Sequence, residues 1–512
     1  MYRRLKATKD CYITNKIIRN SFRATDANTG EAASLDLFKL YDESNISGDD
    51  TPIELTRILI KFDLDPLRAL TSSILDFSSP SFKCELKLHD VYGGQTLPSN
   101  FKTIIFPLSQ SFDEGVGRDV TKFQDIDAAN FLTASISGDS AIAWFLSGAN
   151  KQGLLGSDDI DIIASGNLSD GNGIVDLWES QTFTNGTEDL SVDITTIVSG
   201  VLAGQIPDHG FRISFSGSQE TDDKTRFVKR FSSRHNSNTR KRPEIAVKYN
   251  DSIQDHHSSF FFNMSGSLFL NNFERGAAAN IVSGSSLEKV SGNDSLILKL
   301  VTGSYSKSIT ASQHSVGDLF MTGVYSASFA INTFGTDSVN DSDTIADFAT
   351  KSGSIEFTTY WNSTDGTVGF HTGSVVIKKP ITTGFANTAT RYTVNITNIK
   401  QSYRPGRTVN LRFVAYDADE KVAAKKFPLY RASEIATNCH YQIRDAYSND
   451  IIIPFDTTNN STLMSTDSDG MSFDIFTSDF EVGRSYEADV MIKHGESDQI
   501  FKSVGGIFRI DP

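Results

Sequence analysis

Cysteine is scarce in this 512-residue chain, which has only Cys11, Cys84 and Cys439. Their odd number, wide separation and lack of a Cys-x-x-Cys pair exclude a disulfide framework or a thiolate zinc site as organising features and fit a reducing compartment. Long apolar runs are missing too. Ile451-Ile-Ile-Pro-Phe455 is broken by proline and falls far short of the ~20 residues a membrane span needs, so a soluble chain with no membrane partner is expected. The basic N-terminus, Met1 to Asp10, is followed by neither an apolar h-region nor a small-residue cleavage site. No secretory leader is expected, and work outside a cell would require lysis, a specialised machine or incorporation into a particle.

Positive charge is in deficit, with 48 Lys and Arg against 63 Asp and Glu and a formal net charge of -15. That balance argues against a nucleic-acid partner. The common catalytic signatures are absent as well: no G-x-S-x-G elbow, no H-E-x-x-H pair and no G-x-x-x-x-G-K-[ST] phosphate loop. Carboxylate pairs for glycoside hydrolysis leave no fixed spacing, and no residue is nominated for that chemistry. The chain is read as a non-enzyme without a cofactor. Heptads, collagen triplets and short β-helical repeats are missing, which excludes a fibre shaft.

What is present is ample core material: 38% hydrophobic and 11% aromatic residues, including 36 Phe and 15 Tyr. Disorder is excluded as the main state, and at roughly 150 residues per domain the length implies about three domains. Short alternating or β-branched runs separated by Gly, Asn, Asp and Ser predict antiparallel strands. Examples are residues 35–41, 55–64, 82–89, 212–215, 245–249, 295–301, 324–331, 354–360, 375–378, 392–399, 409–416 and 486–492. Helices are predicted only over 66–74, opened by Pro66, and over 194–203, after Asp193. The reading is an all-β chain of three consecutive β-sandwich domains, jelly-roll or Ig-like, with few short helices. Polar stretches place the domains at 1–250, 251–385 and 386–512. The first is oversized, and the excess is assigned to long loops, above all the acidic stretch Gly153 to Gly173 with Asp158, Asp159, Asp161 and Asp170.

The strongest local charge feature runs against the net charge. Lys224, Arg226, Lys229, Arg230, Arg234, Arg240, Lys241, Arg242 and Lys248 face a single acid, Glu244. Two readings stay open: a solvated loop whose aliphatic stems cover apolar surface, or an assembly patch for an acidic neighbour such as the Asp158 to Asp170 loop of an identical subunit. Phe227 and Phe231 alone do not make the interleaved aromatic platform of a nucleic-acid binder. Trp178 and Trp361 are the candidate glycan contacts, whereas Trp144, inside Ala141-Ile-Ala-Trp-Phe-Leu146, reads as core. His256-His257 beside Asp255 reads as solvated linker, since neighbouring extended side chains point apart. Asp467-Ser-Asp-Gly470 and Asp170-Gly-Asn-Gly173 have calcium-loop residues without the twelve-residue pattern and read as hairpin turns, so no metal is assigned.

Several segments carry a resemblance. Ala7-Thr-Lys-Asp-Cys-Tyr-Ile13, Ile53 to Leu64, Leu190-Ser-Val-Asp-Ile-Thr-Thr-Ile-Val198, Gly210-Phe-Arg-Ile-Ser-Phe215, Phe231-Ser-Ser-Arg234 and Arg242-Pro-Glu-Ile-Ala-Val-Lys-Tyr249 together resemble, in order, a DNRLRE-type β-sandwich module. Where that family has an E-x-N signature after its Ser-rich loop, this chain has Arg234-His-Asn-Ser-Asn238, and no sugar site is carried over. Ser265 to Gly276, Gly323 to Phe329, Tyr441 to Asp445 and Ile452 to Phe455 are similar to segments of virion structural proteins of marine, T4-like tailed phages. The resemblance implies a structural component of a tailed-phage virion, made in the host cytoplasm, that docks other virion proteins and itself at the tail, baseplate or neck. The alternative is a carbohydrate-binding protein that recognises a host-surface glycan.

Overall fold

The computed structural model describes residues 1–49, 51–71, 74–91, 100–168, 173–284, 287–379, 390–419, 431–494 and 497–512. The described chain is all-β, with sandwich-like sheets and a few short helices. It divides into two compact units. The N-terminal unit comprises Arg3–Ala69 and Phe82–Lys248, and the C-terminal unit comprises Met1–Tyr2, Leu70–Ser81 and Tyr249–Pro512. The C-terminal unit contains both of the later domains read from the sequence, and the break proposed at 385 falls outside the described residues.

In the N-terminal unit one ten-stranded sheet runs in the order Glu179–Phe183, Phe101–Pro107, Phe211–Phe215, Ile53–Phe62, Tyr2–Thr14, Glu244–Lys248, Lys83–Leu88 and Leu190–Asp193, with Ser34–Tyr41 and Arg226–Ser232 branching from it. The first strand therefore lies beside the last. Phe211 pairs with Ile60 and Ile213 with Ile58, so period-2 alternation puts Ile58, Ile60, Phe211, Ile213 and Phe215 on one buried face. Phe101 closes this side, stacked on Phe183 at 4.7 Å and edge-on to Phe215 at 5.5 Å.

The opposite face of the same strands is buried too, which is why Ile53–Phe62 is covered along almost its whole length. Cys11, Ile13, Leu59, Phe106 and Leu108 pack there against Phe112, Ala129, Ala134, Trp144, Ala149 and Ile162. The described residues beyond an ordinary sandwich, between 109 and 168 and from 173 to 178, thus form a covering layer and build a second core. Full burial of each of the larger side chains among them, the Ile, Leu and Phe residues, is worth roughly 1.5–3 kcal/mol.

In the C-terminal unit an antiparallel six-stranded sheet runs Ser265–Asn271, Leu319–Ala330, Tyr305–Val316, Leu296–Thr302, Ser354–Asn362 and Gly369–Lys378. A four-stranded sheet containing Thr408–Asp417 and Gly470–Phe476 is joined to a five-stranded one containing Cys439–Asp445 and Ser485–His494 through Tyr441 stacked on Phe473 at 4.2 Å. The helix Ile345–Ser352 is held by a reciprocal cap between Thr344 and Asp347 and ends at Gly353 with φ 78°. All three cysteines are buried and free.

Gly210 holds a tight entry into its strand. Its φ is +96°, and a Cβ there would meet the Ile60 carbonyl oxygen at 2.3 Å. Gly210→Ala is therefore expected to lose about 1–3 kcal/mol of N-terminal-unit stability in chemical denaturation. An unchanged midpoint would contradict this geometry.

Candidate functional site

The basic run is mostly consumed inside its own unit. Arg226 forms a two-pronged pair with Asp222 at 2.7 and 2.6 Å, and the hydrogen bonds from Arg226 hold that carboxyl far below the usual range. Lys229 is fully buried: its ammonium pairs with Asp90, donates to the Gly186 and Glu188 carbonyls at 3.0 and 2.8 Å, and lies 5.0 Å over the Phe231 ring. Arg230 pairs with Asp36 at 3.1 Å, Lys248 with Glu85 at 2.9 Å, and Arg242 donates to the Asn236 carbonyl at 3.1 Å. Arg240 is half-buried, while Lys224 and Lys241 are exposed. The run is thus threaded through the fold and is not laid out as one solvent-facing patch.

Its sole acid, Glu244, is buried between Arg4 at 2.6 Å and Lys6 at 2.8 Å. Burial alone would raise this carboxyl, but the two cations override it and hold it at about 2.

The acidic stretch divides as well. Asp158 and Asp159 are exposed, and Asp170 lies outside the described residues. Asp161 is fully buried and accepts the Phe145, Leu146 and Lys151 backbone N–H groups at 2.8, 3.0 and 2.9 Å. It is an internal anchor of the covering layer, not part of an acidic docking loop. Trp178 is half-buried against the second core with the Lys102 ammonium 5.8 Å over its ring. Trp361 is corrected as a glycan contact: at 3% exposure it belongs to the core with Leu298, Ile355 and Phe357, and its ring is closed to a sugar. Trp144 is core, its indole donating to the Asn130 carbonyl at 2.9 Å.

His256 and His257 do not lie on a free linker. The His256 N–H bonds the Ser267 carbonyl at 3.0 Å, and its Nδ1 accepts the Ser267 N–H at 3.1 Å. Asp467 to Gly470 is a hairpin turn, with Asp467 clamped by Arg412 at 2.7 and 2.8 Å. Of Asp170-Gly-Asn-Gly173, the first three residues lie outside the described residues.

The constellation that the sequence reading missed is Asp10, Glu114 and His235, each offering a ligand atom within 4.8 Å of the others. Asp10 sits in Tyr2–Thr14 beyond the stretch bonded to Glu244–Lys248, so its N–H has no strand partner on that side and donates to Glu114 Oε1 at 2.8 Å. Glu114 is aimed by a rigid turn. Buried Asn28 donates to the Glu114 and Ala129 carbonyls, both at 2.8 Å, and accepts the Gly117 N–H at 2.8 Å. Gly115, at φ +77°, has no room for a Cβ, which would meet Asn28 Oδ1 at 2.5 Å.

Arg234 clamps both Glu114 oxygens at 2.5 Å and donates its backbone N–H to Asp10 Oδ2 at 2.6 Å. His235 Nε2 lies 3.5 Å from Glu114 Oε1. Burial pushes the Asp10 carboxyl up to about 7 against the lowering effect of the Arg234 N–H. No local spacing announces this group, because its members are brought together by chain crossing alone. The one hint was Arg234-His235 standing where the resembled module has a different signature.

Comparisons with protein-family models and with curated proteins give no match. Among solved structures, the N-terminal Ig1-2 module of the Drosophila receptor protein tyrosine phosphatase DLAR is similar over 51% of this chain and 95% of the module, at 8% identity and TM-score 0.13. Escherichia coli alpha-2-macroglobulin in its native conformation is similar over 100% of this chain and 35% of its own, at 10% identity and TM-score 0.11. TM-scores this low carry no argument about either unit.

Glu244 gives the pH dependence of the fold. Its folded pKa is lowered from 4.5 to about 2, so its contribution is complete above about 4.5 and is lost as pH falls through about 2. The loss amounts to roughly 3 kcal/mol. In melts across this window, Glu244→Gln should be less stable than the parent at neutral pH, with the two curves converging on acidification. Parallel curves would contradict the pairing.

Proposed function

We propose that this protein is a non-enzymatic structural component of a tailed-bacteriophage virion, an adaptor at the tail, baseplate or neck that docks neighbouring virion proteins and further copies of itself. The observation that carries the reading is the covering layer of the N-terminal unit. Its inner side is core, yet Ile142, Phe145, Leu146, Leu154 and Ile174 are between 41% and 68% exposed in that same stretch of chain. Large apolar side chains left in water in one stretch are a mark of protein contact surfaces. The resemblance of short segments of the C-terminal unit to phage structural proteins supports the same reading, as does an all-β fold whose buried charges serve architecture.

Most of the basic run does not supply the docking charge, because its guanidinium and ammonium groups are largely held by acids of the same unit. Within this proposal, Lys224 and Lys241 are the charges left to face a neighbour.

The second reading, recognition of a host-surface glycan, rests on Trp178, whose half-buried ring and overlying Lys102 form a small platform. The cleft of about 460 Å³ beside Glu288, Lys289, Asn293 and Asp294 is polar but has no aromatic ring in its lining. Glycan-array binding abolished by Trp178→Ala would favour this reading over the first.

Mass spectrometry of purified particles of the encoding phage should detect the chain at stoichiometric level. Phe145→Asp with Leu146→Asp should deplete it from particles without lowering the melting temperature of the free protein. Absence of the parent chain from particles sinks the proposal.

A further inference from the structure

The group Asp10, Glu114 and His235 leaves three acceptor positions open at one point. Asp10 is completely buried, and although Oδ2 takes the Arg234 N–H, Oδ1 has no hydrogen-bond partner. His235 Nε2 is likewise buried and without a hydrogen-bond partner. Glu114 accepts three hydrogen bonds, from Asp10 N–H and from two Arg234 nitrogens. Two of these fall on Oε1 and one on Oε2, and a carboxylate has about four lone-pair positions, so the one that remains is on Oε2. Orphaned buried polar atoms are rare, and two of them, Asp10 Oδ1 and His235 Nε2, converge here beside the Glu114 carboxylate.

From this convergence we propose that Asp10, Glu114 and His235 bind one divalent transition-metal ion, with Zn²⁺ the best match, leaving a coordination position open to water. One imidazole nitrogen and two carboxylate oxygens suit Zn²⁺ better than Ca²⁺ or Mg²⁺, which take oxygen ligands. Bonds of ~2.0–2.2 Å in a tetrahedral arrangement set ligand atoms about 3.3 Å apart. The three ligand atoms lie within 4.8 Å of one another, so closing on an ion needs a contraction of at most about 1.5 Å.

The supports around the ligands are in place. Arg234 fixes the Glu114 carboxylate as outer-sphere partners do in metal sites, and Asn28 fixes the turn that carries it. The His235 side chain keeps 27% exposure, so the group lies just beneath the surface of the unit. Arg234 leaves the group a net negative charge, because its one cation faces two carboxylates. The ion would join the opening strand, the 113–117 turn and the Ser-rich loop before the closing strand.

The test uses the full-length chain without a histidine tag, stripped with chelator and titrated calorimetrically with ZnCl₂. One Zn²⁺ per chain is expected, undisturbed by excess Ca²⁺ or Mg²⁺, and Co²⁺ loading should give the visible bands of a low-coordinate nitrogen and oxygen site. His235→Gln and Asp10→Asn should each weaken binding by at least about the 10–100-fold that loss of an outer-sphere partner costs. Matched circular dichroism of His235→Gln, the milder change, guards against misfolding. No saturable binding by the parent chain overturns the proposal, as does unaltered affinity in a folded His235→Gln.

Discussion

Two arginines share one face of the central sheet of the N-terminal unit, and that unit is arranged around satisfying them. Arg57 pairs in register with Ile13, and Arg212 with Leu59 and Phe106, so both project into the second core. Arg57 holds Glu220 at 3.1 and 2.9 Å and donates to the Gly148 carbonyl at 2.7 Å. Arg212 donates to the Ala149 carbonyl, Asn150 and Ser214 while lying 5.2 Å over Phe106. Burial, with Arg57 nearby, brings the Arg212 guanidinium down to about 9. Taking such charges out of water costs several kcal/mol each, which pairing offsets without exceeding what apolar packing gives. What the pairing adds is placement. The 148–150 turn has to sit where the two guanidinium groups reach it, and the covering layer is positioned with it.

The same logic recurs at the seams of the unit. Arg4 and Glu244 join the first and last strands, Lys229 and Asp90 tie the branching strand Arg226–Ser232 to the chain just after Lys83–Leu88, and Asp161 gathers three backbone N–H groups of the covering layer. At Asp10 the pattern stops short. Its partner Arg234 already serves Glu114, and one buried oxygen is left over. Glu54 Oε1 is left over in the same way, but at Asp10 the leftover oxygen stands within 4.8 Å of an imidazole nitrogen and a second carboxylate, and a metal ion is the cation that group lacks. The functional proposal lives elsewhere, on the outer side of the covering layer, so docking and ion binding are separate properties of one unit.

The strands were legible because period-2 alternation and turn residues are local. Residues 35–41 were read as a strand observed at Ser34–Tyr41, and 409–416 as one observed at Thr408–Asp417. Two further features are written in local text. Counting by two from Ile355 and Phe357 places Trp361 on the buried face, and Thr344-Ile-Ala-Asp347 followed by Gly353 spells a capped helix. The basic run was different in kind. Its Lys and Arg residues look like a patch because their partners Asp36, Asp90, Glu114 and Asp222 are scattered over the preceding chain. Nor does any spacing tie Asp10 to His235, which meet because the first strand borders the last. Charge pairing across long sequence distance is a tertiary property, and composition cannot announce it.

A double-mutant cycle on Arg57 and Glu220, read by chemical denaturation of the full chain, tests the central constraint most directly. Arg57→Met and Glu220→Gln each strand one buried charge or its polar partners and should cost about 3–5 kcal/mol. The double variant should cost much less than the sum, revealing a coupling of about 2 kcal/mol or more. Simple additivity would contradict the claim that buried, paired charges organise this unit.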